Sequence, residues 1–236
     1  MEVELLYGTT KAIVDPQGGY LTNLSDDNGD ILFPKRNLTA ADGSIKLRGG
    51  CHICLPNFGP GGASGQPQHG FGRGSLWEVT DKTENSVLLT LAEGAGEYSA
   101  LATVITYQLA DAMLMMTCEV TNNGTVPLRV APAFHPYFSL TGEKEVEIDG
   151  EREALDDLGE ATFMEGGEHT LKTATRTFHL TSGNLQSWAK WTDQLGKYVC
   201  VEPSLGGFTF LSDTPKPEEM LPAGESKTYS VSVTWS

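Results

Sequence analysis

The stretch LATVITYQLADAMLMMTCEVTNNGT, residues 101–125, decides the fold class of this chain. It holds two runs of strand-favouring residues, Leu101–Leu109 and Met113–Thr121, followed by the turn sequence Asn122–Thr125. Short runs of β-branched, aromatic and aliphatic residues between Gly, Asn, Asp or Pro clusters are typical of strands and turns. Helical periodicity is nearly absent. The stretch therefore predicts antiparallel strands.

The same pattern continues along the rest of the chain. Further strands are predicted at Val3–Tyr7, Trp77–Thr80, Ser86–Ala92, Lys197–Glu202 and Tyr229–Trp235, with turns at Asp26–Asp30 and Pro222–Ser226. All-β domains of about 200–250 residues often form one unit. We therefore predict an all-β fold, a large antiparallel sandwich that forms a single domain over residues 1–236.

The composition excludes some classes of binding partner. The 236 residues are 39% hydrophobic and carry 31 acidic against 16 basic side chains, a formal net charge of −15. Such a surface repels phosphate backbones and anionic lipids, so we expect neither nucleic-acid nor membrane binding. The N-terminus is acidic where a signal peptide is basic, and no run reaches the roughly 18 apolar residues of a membrane span.

Cysteine is sparse, at four residues, which fits the reducing cytoplasm better than a disulfide scaffold. Cys51 and Cys54 form a CxxC pair. A redox pair of this kind is typical of a βαβ setting, which this chain lacks, and a zinc site needs a second pair of ligands at suitable spacing. We therefore expect neither a redox nor a zinc role for the pair. Walker, nucleophile-elbow and dinucleotide motifs are missing as well.

VAPAFHPYFSL, residues 130–140, places one histidine in stiff backbone among aromatic residues. Pro132 and Pro136 fix their own φ and favour extended backbone at the residue before each, so the direction of the His135 imidazole is largely preset. A histidine exchanges its proton near neutral pH. His135 is either a core histidine or a proton carrier.

Glu202 lies in KYVCVEP, residues 197–203. Strand alternation puts Val199 and Val201 on one face and Glu202 on the other, with the strand ending at Glu202 because Pro203 interrupts the ladder. A carboxylate beside apolar strand residues is unfavourable unless it is paired or used. Glu202 is therefore either a solvent-facing strand end or a functional acid.

The glycine- and proline-rich stretch from Arg48 to Trp77 is too long for an ordinary connection, which favours a functional loop. Within it, glycines flank Phe71 and allow close approach to a ligand, while His69, Arg73 and Arg48 supply donors. Two guanidinium groups on one loop of an acidic protein predict an anion or polyol site, although both could be ordinary surface residues.

Taken together, these stretches resemble the aldose 1-epimerase (galactose mutarotase-like) superfamily, and are most similar to its hexose-6-phosphate mutarotase branch. The resemblance rests on five motifs in order and on the closing LPAGES: LFP at 32–34, RGGCHICLPNFG at 48–59, PQHGFGRGSLW at 67–77, the HPYF motif at 135–138, and VCVEP at 199–203. It covers most of the chain.

The resemblance implies a β-supersandwich that interconverts the α and β anomers of a sugar. It implies that His135 is the general acid and Glu202 the general base, and that the substrate is bound by Arg48, Gln68, His69 and Arg73. It implies no cofactor or metal, and a small-molecule sugar or sugar phosphate as the only partner of what we expect to be a monomer. The family's additional sugar-binding aspartate has no clean counterpart between His135 and Glu202.

Three readings stay open from the sequence. The first is a mutarotase for a hexose 6-phosphate, the second an epimerase for unphosphorylated aldoses, and the third a carbohydrate-binding domain without catalysis. Trp188 and Trp191 could form a stacking wall for a sugar ring, but we expect both to lie in the core.

Overall fold

The computed structural model describes all residues, 1–236, as strands joined by turns and six short 3-10 segments. The strands are β1 (Val3–Tyr7), β2 (Thr10–Asp15), β3 (Tyr20–Asp26), β4 (Gly29–Leu32), β5 (Arg36–Thr39), β6 (Ile45–Arg48), β7 (Ile53–Cys54), β8 (Glu78–Lys82), β9 (Ser86–Leu91), β10 (Leu101–Ala110), β11 (Met113–Asn122), β12 (Leu128–Arg129), β13 (Ala133–Phe134), β14 (Tyr137–Ser139), β15 (Glu145–Ile148), β16 (Glu151–Ala154), β17 (Thr162–Glu165), β18 (Glu168–Lys172), β19 (Thr177–Thr181), β20 (Ser187–Trp191), β21 (Tyr198–Ser204), β22 (Met220–Leu221) and β23 (Ser226–Trp235). The 3-10 segments are Gly62–Ser64, Gly72–Gly74, Gly96–Tyr98, Leu155–Leu158, Thr209–Leu211 and Pro217–Glu219.

Two large antiparallel sheets make up the fold. One has nine strands in the order β16-β15-β18-β19-β23-β11-β10-β9-β8, and the other has ten, built around β21. In the ten-stranded sheet β21 pairs with β13 and β14 along one side and with β20 along the other. Two small two-stranded sheets, β5-β6 and β12-β22, stand apart from them. The predicted all-β antiparallel class is confirmed.

The core lies between the large sheets. A cluster of 44 buried hydrophobic residues takes Leu24 and Phe138 from the ten-stranded sheet and Ile105 and Val231 from the nine-stranded sheet. Alternation along β10 and β11 buries every second side chain, as expected for strands with one face on a core. Burial of apolar area contributes about 25 cal/mol per Å² and is the main stabilising term here.

The predicted strands are all present, with small shifts at their ends. The one substantive difference is β21, which runs through Pro203 to Ser204 rather than ending at Glu202. Trp188 on β20 pairs with Pro203, and Ser187 pairs with Ser204. A proline removes only its own N–H, and the partners on both sides carry the ladder past it.

The loop from Arg48 to Trp77 contains β7 and two of the 3-10 segments. The stretch from 149 to 175, whose polar and acidic residues predict no element, contains β16, β17 and β18. None of the helical segments has the length and apolar character needed to cross a membrane.

Candidate active site

The register of the sheet brings His135 and Glu202 together. Ala133 pairs with Ser204 and Tyr137 pairs with Cys200, so continuing this register places His135 opposite Glu202. Side chains directly opposite in an antiparallel pair share a face and lie within contact distance. The Nε2 atom of His135 is 3.2 Å from Oε2 of Glu202, and both side chains are nearly buried, at 5% and 3% exposure.

Neighbouring rings hold the His135 imidazole. It stacks on Tyr137 with ring centroids 4.6 Å apart and planes 9° apart, and on His52 at 4.8 Å and 26°. The backbone N–H of His135 donates to the carbonyl oxygen of His52 at 3.0 Å. The ring is therefore confined on both faces, while its edge faces Glu202.

The pair lies at the wall of a cavity of about 480 Å³. The cavity is lined by Lys46, Arg48, Phe58, Gln68, His69, Arg73, His135, Tyr137, Ala161, Trp191, Glu202 and Phe208. All six residues that the sequence suggested for the site are in this set. A cavity of this size with a few convergent polar groups is typical of a small-molecule site.

Strand alternation accounts for the placement of Glu202. Val199 and Val201 of β21 belong to the main core, whereas Tyr198 and Cys200 form part of a smaller cluster on the opposite face, which is the face of Glu202. The Oε2 atom of Glu202 is buried, and its contact with Nε2 of His135 lacks the alignment of a hydrogen bond. A buried carboxylate oxygen without a well-aligned donor is costly, and such groups are found where they are used.

Burial opposes charge on both members of the pair. It raises the pKa of Glu202 well above its usual value. It also lowers the pKa of His135 well below its usual value, with smaller contributions from His52, His69 and the two arginines. Because each shift disfavours a charged group and the two groups are 3.2 Å apart, the pair holds one proton between them over a wide range of pH.

His69 presents a hydrogen-bond donor to the cavity. The Gly59 N–H donates to its Nδ1 at 3.3 Å, and the Cys54 thiol is 3.2 Å from the same atom. Since Nδ1 accepts, the ring hydrogen is on Nε2, which lies 3.4 Å from the side-chain amide of Gln68. Burial lowers the pKa of His69 to about 3, so the ring stays neutral. Its φ of 62° is a left-handed conformation that only a few per cent of non-glycine residues adopt.

The two predicted arginines are held differently. Arg48 donates from Nε to Oδ2 of Asp193 at 2.7 Å, and its guanidinium lies 5.4 Å from the Trp191 ring centroid. Arg73 donates from Nη2 to the Gln68 carbonyl oxygen at 2.8 Å. Asp193 also accepts a short hydrogen bond from the Tyr198 hydroxyl. Asp193 thus positions Arg48. No motif in the sequence indicated this role of Asp193.

The sequence analysis did not predict several of the residues that line the cavity. Trp191 was expected in the core, but it is only partly buried and lines the cavity, whereas Trp188 is fully buried as expected. Trp191 reaches the cavity because it pairs with Cys200 on the face of β21 that carries Glu202. Lys46 could have been found, because it shares a face with Arg48 two residues away on β6.

The two cysteines of the CxxC pair, Cys54 on β7 and Cys51 just before it, lie on opposite faces of the backbone. Cys51 packs in the main core with its Sγ 3.6 Å from Sδ of Met116, while Cys54 lies on the site side against His69. Residues three apart on a strand point to opposite faces. Both thiols are free and buried.

One group of side chains could hold a metal ion. Ligand atoms of His135, Cys200 and Glu202 all lie within 4.8 Å of one another. Nitrogen, sulfur and oxygen donors of this kind suit a transition metal. Burial raises the pKa of the Cys200 thiol well above its usual value, which keeps it in the protonated form that binds metals poorly. The chemistry proposed below uses none.

Similarity to known proteins identifies the family of the chain. The family model described as aldose 1-epimerase matches residues 2–167, well over half of the chain. Three curated relatives carry the name "Putative glucose-6-phosphate 1-epimerase". The one from Salmonella typhimurium is 28% identical over 143 residues, covering 59% of this chain and 49% of its own length, and the one from Cenchrus ciliaris is 27% identical over 170 residues, covering 64% and 51%. The match thus spans about half the length of these relatives.

Solved structures agree on the fold over the whole chain. A galactose mutarotase-like protein from Lactobacillus casei superposes with a TM-score of 0.82 at 17% identity, covering 100% of both chains. A galactose mutarotase related enzyme from Lactobacillus acidophilus gives 0.81 at 17% identity, covering 100% of this chain and 97% of its own. With the family model matching most of the sequence and this fold over all of it, the chain belongs to the aldose 1-epimerase family.

Proposed function

We propose that this protein is an aldose 1-epimerase that interconverts the α and β anomers of a hexose, with a hexose 6-phosphate such as glucose 6-phosphate as substrate. The observation that carries the proposal is the His135–Glu202 pair, 3.2 Å apart at the wall of an open cavity. The family membership supports the same reaction class. We further propose that the protein acts as a cytoplasmic monomer. Its four free thiols are consistent with that compartment.

Anomer exchange needs one group that accepts a proton and one that donates a proton. In the ring-opening step Glu202 takes the proton from the C1 hydroxyl, the bond between C1 and the ring oxygen breaks, and His135 gives a proton to the ring oxygen. The product is the open-chain aldehyde. Paired transfers of this kind contribute about 10²–10⁴-fold for each group.

Ring closure resets the pair. After rotation about the bond between C1 and C2, the C5 hydroxyl oxygen attacks the other face of the aldehyde, His135 takes back the hydroxyl proton, and Glu202 returns its proton to the aldehyde oxygen. The pair therefore starts and ends each turnover with one shared proton. The lowered pKa of His135 and the raised pKa of Glu202 favour one proton on the pair near neutral pH, and ring opening starts from the form that carries this proton on His135.

Three cations around the cavity support a phosphorylated substrate. Lys46, Arg48 and Arg73 line it, although the chain as a whole carries a formal charge of −15. Arg73 bonds only to a carbonyl oxygen and is free to bind an anion. Guanidinium groups suit the geometry of a phosphate. His69 and Gln68 supply neutral donors for sugar hydroxyls.

An epimerase for unphosphorylated aldoses is the second candidate. It is favoured by the Arg48–Asp193 ion pair, which already neutralises one of the two guanidinium groups. In that case Arg48 and Arg73 contact hydroxyl groups. A carbohydrate-binding domain without catalysis is the third candidate, and it has no use for an acid and a base placed together.

The test is NMR saturation exchange between the anomeric protons of glucose 6-phosphate, with glucose measured beside it. The parent protein is compared with Glu202→Gln, which keeps the shape of the side chain but removes the base. We expect exchange on the phosphorylated sugar to fall by about 10²–10⁴-fold in the variant. The control is Glu153→Gln, outside the cavity lining, which leaves the rate unchanged.

The outcomes separate the three candidates. Exchange restricted to glucose 6-phosphate supports the phosphate substrate, and equal exchange on both sugars supports the general aldose epimerase. Sugar binding without exchange in the parent supports the binding domain. Equal rates in the parent protein and in Glu202→Gln contradict the role given to Glu202.

A further inference from the structure

His52 is a buried histidine in the CxxC motif that the reaction above does not use. It is 1% exposed and does not line the cavity. The register of β7 with β13, in which Ile53 pairs with Phe134, continues to place His52 opposite His135. The three side chains of His52, His135 and Glu202 therefore form one row across three neighbouring strands.

The protonation of His52 follows from its partners. Its Nδ1 is 3.2 Å from the Tyr20 hydroxyl, and that hydroxyl donates to the Gly49 carbonyl oxygen at 2.8 Å. A tyrosine hydroxyl has one hydrogen and a carbonyl has none to give. The hydrogen between His52 and Tyr20 is therefore on Nδ1 of His52. Burial lowers the pKa of His52 well below its usual value, which keeps the ring neutral.

This hydrogen-bond chain fixes the plane of the His52 ring. Tyr20 also packs against His52, with ring centroids 5.0 Å apart. His52 in turn covers the face of His135 that Tyr137 leaves open.

We infer that His52 is a positioning residue, which clamps the imidazole of His135 against Tyr137 so that its Nε2 faces Glu202 and the sugar. The inference rests on the proposed function for its kinetic consequences only. The hydrogen bond to Gly49, next to Arg48, also ties the clamp to the strand end that carries a substrate-binding side chain. In the CxxC motif it is therefore His52, and not either cysteine, that supports the site.

The first measurement does not depend on turnover. Histidines labelled with ¹⁵N and ¹³C are followed by NMR in the parent, His52→Ala and His52→Phe, and His135 is assigned from the spectrum of His135→Gln. We expect one ordered His135 ring in the parent. In His52→Ala we expect exchange broadening and a pKa that rises toward the ordinary value as burial is relieved, and in His52→Phe, which keeps a flat ring, a spectrum close to that of the parent.

The second measurement is the rate of anomer exchange in the same variants. Loss of the clamp lowers kcat by about tenfold in His52→Ala with KM changed less than about threefold, because ring orientation matters in the transition state more than in binding. His52→Phe restores most of kcat. His179→Ala, an exposed histidine on the other sheet, leaves kcat unchanged.

An ordered His135 ring with an unshifted titration in His52→Ala overturns the inference, whatever the activity. So does a kcat within about twofold of the parent in that variant. If His52→Ala does not fold, His52→Leu keeps the volume without the flat ring and gives the same comparison with His52→Phe. A parent without exchange on any sugar contradicts the proposed function but leaves the NMR test of the clamp intact.

Discussion

At the scale of single residues, Lys46 is the most informative addition to the site. It lies on β6, two residues from Arg48, and its side chain reaches the cavity although it is otherwise exposed. Arg48 is held by Asp193, and Arg73 by a carbonyl oxygen. Lys46 therefore adds a positive charge without an ion-pair partner to two guanidinium groups that are already held in place.

This arrangement predicts a selective effect of Lys46→Met. We expect KM for glucose 6-phosphate to rise by about tenfold, the loss of about 1.4 kcal/mol expected when one charge contact to a phosphate is removed, with KM for glucose unchanged. Anomer exchange measured over a range of both sugars checks this. The matched control is Lys82→Met, exposed on the nine-stranded sheet. A parallel change in KM for both sugars would contradict a role toward phosphate.

The residues of the site differ in how far sequence could predict them. His135 and Glu202 carry local signals, since prolines flank the histidine and strand alternation turns the glutamate away from the core. Asp193 carries no such signal, because its contact with Arg48 joins residues 145 apart in the chain. The prediction that Trp191 lies in the core was wrong because it, too, depended on contacts between distant parts of the chain. Whether a strand face meets a cavity or a core depends on what packs on it.

At the scale of elements, the loop between β7 and β8 is shaped by close backbone contacts. Gly70 has φ of +68°, and a Cβ there would lie 2.0 Å from the Leu55 carbonyl oxygen. The same turn carries His69 and leads on to Arg73. A residue other than glycine at position 70 must push the loop away from β7, and the two lining side chains move with it.

Gly70→Ala is therefore expected to destabilise the protein and to weaken substrate binding together. The control is Gly43→Ala, which has a φ of +81° but nothing within 4 Å of its Cβ. Left-handed strain alone costs about 1 kcal/mol, so the control loses about that much and Gly70→Ala loses several kcal/mol more through the backbone clash. Urea unfolding of both variants measures the difference, and equal losses would contradict the argument.

The alternation of strand residues and the turn residues predicted most of the strands. They did not predict which strands pair with one another. The stretch from 149 to 175 is polar and acidic, yet it forms β16, β17 and β18. β17 packs beside β20 at the edge of the ten-stranded sheet, where one face meets solvent. An edge strand with little burial has no alternating pattern to detect.

At the scale of the whole molecule, the fold buries three of the five histidines in neutral form. His52, His69 and His135 are all less than a tenth exposed, and burial lowers the pKa of each. In the unfolded chain a histidine binds a proton near pH 6.5. As the pH falls below that value, the unfolded state gains protons that the folded state does not, so the free energy of unfolding decreases.

The size of this effect is testable at His69. Its folded pKa is about 3, so it contributes a slope of about 1.4 kcal/mol per pH unit between about pH 6.5 and 3. Between about pH 8 and pH 5 we expect the parent to lose about 2 kcal/mol more than His69→Gln does. Urea unfolding at both values provides the comparison, and the higher pH serves as an internal reference. An identical loss in both proteins would show that His69 is charged in the folded state.

The row of His52, His135 and Glu202 has a consequence for how such a protein can change through evolution. The distance between acid and base is set by neighbouring strands of one sheet, which are held about 4.8 Å apart by ladder hydrogen bonds. The residues proposed to contact the sugar, Lys46, Gln68 and Arg73, lie on a hairpin and a loop outside that ladder. Substitutions in these outer segments can therefore alter which sugar is accepted while the spacing that performs the chemistry is inherited unchanged.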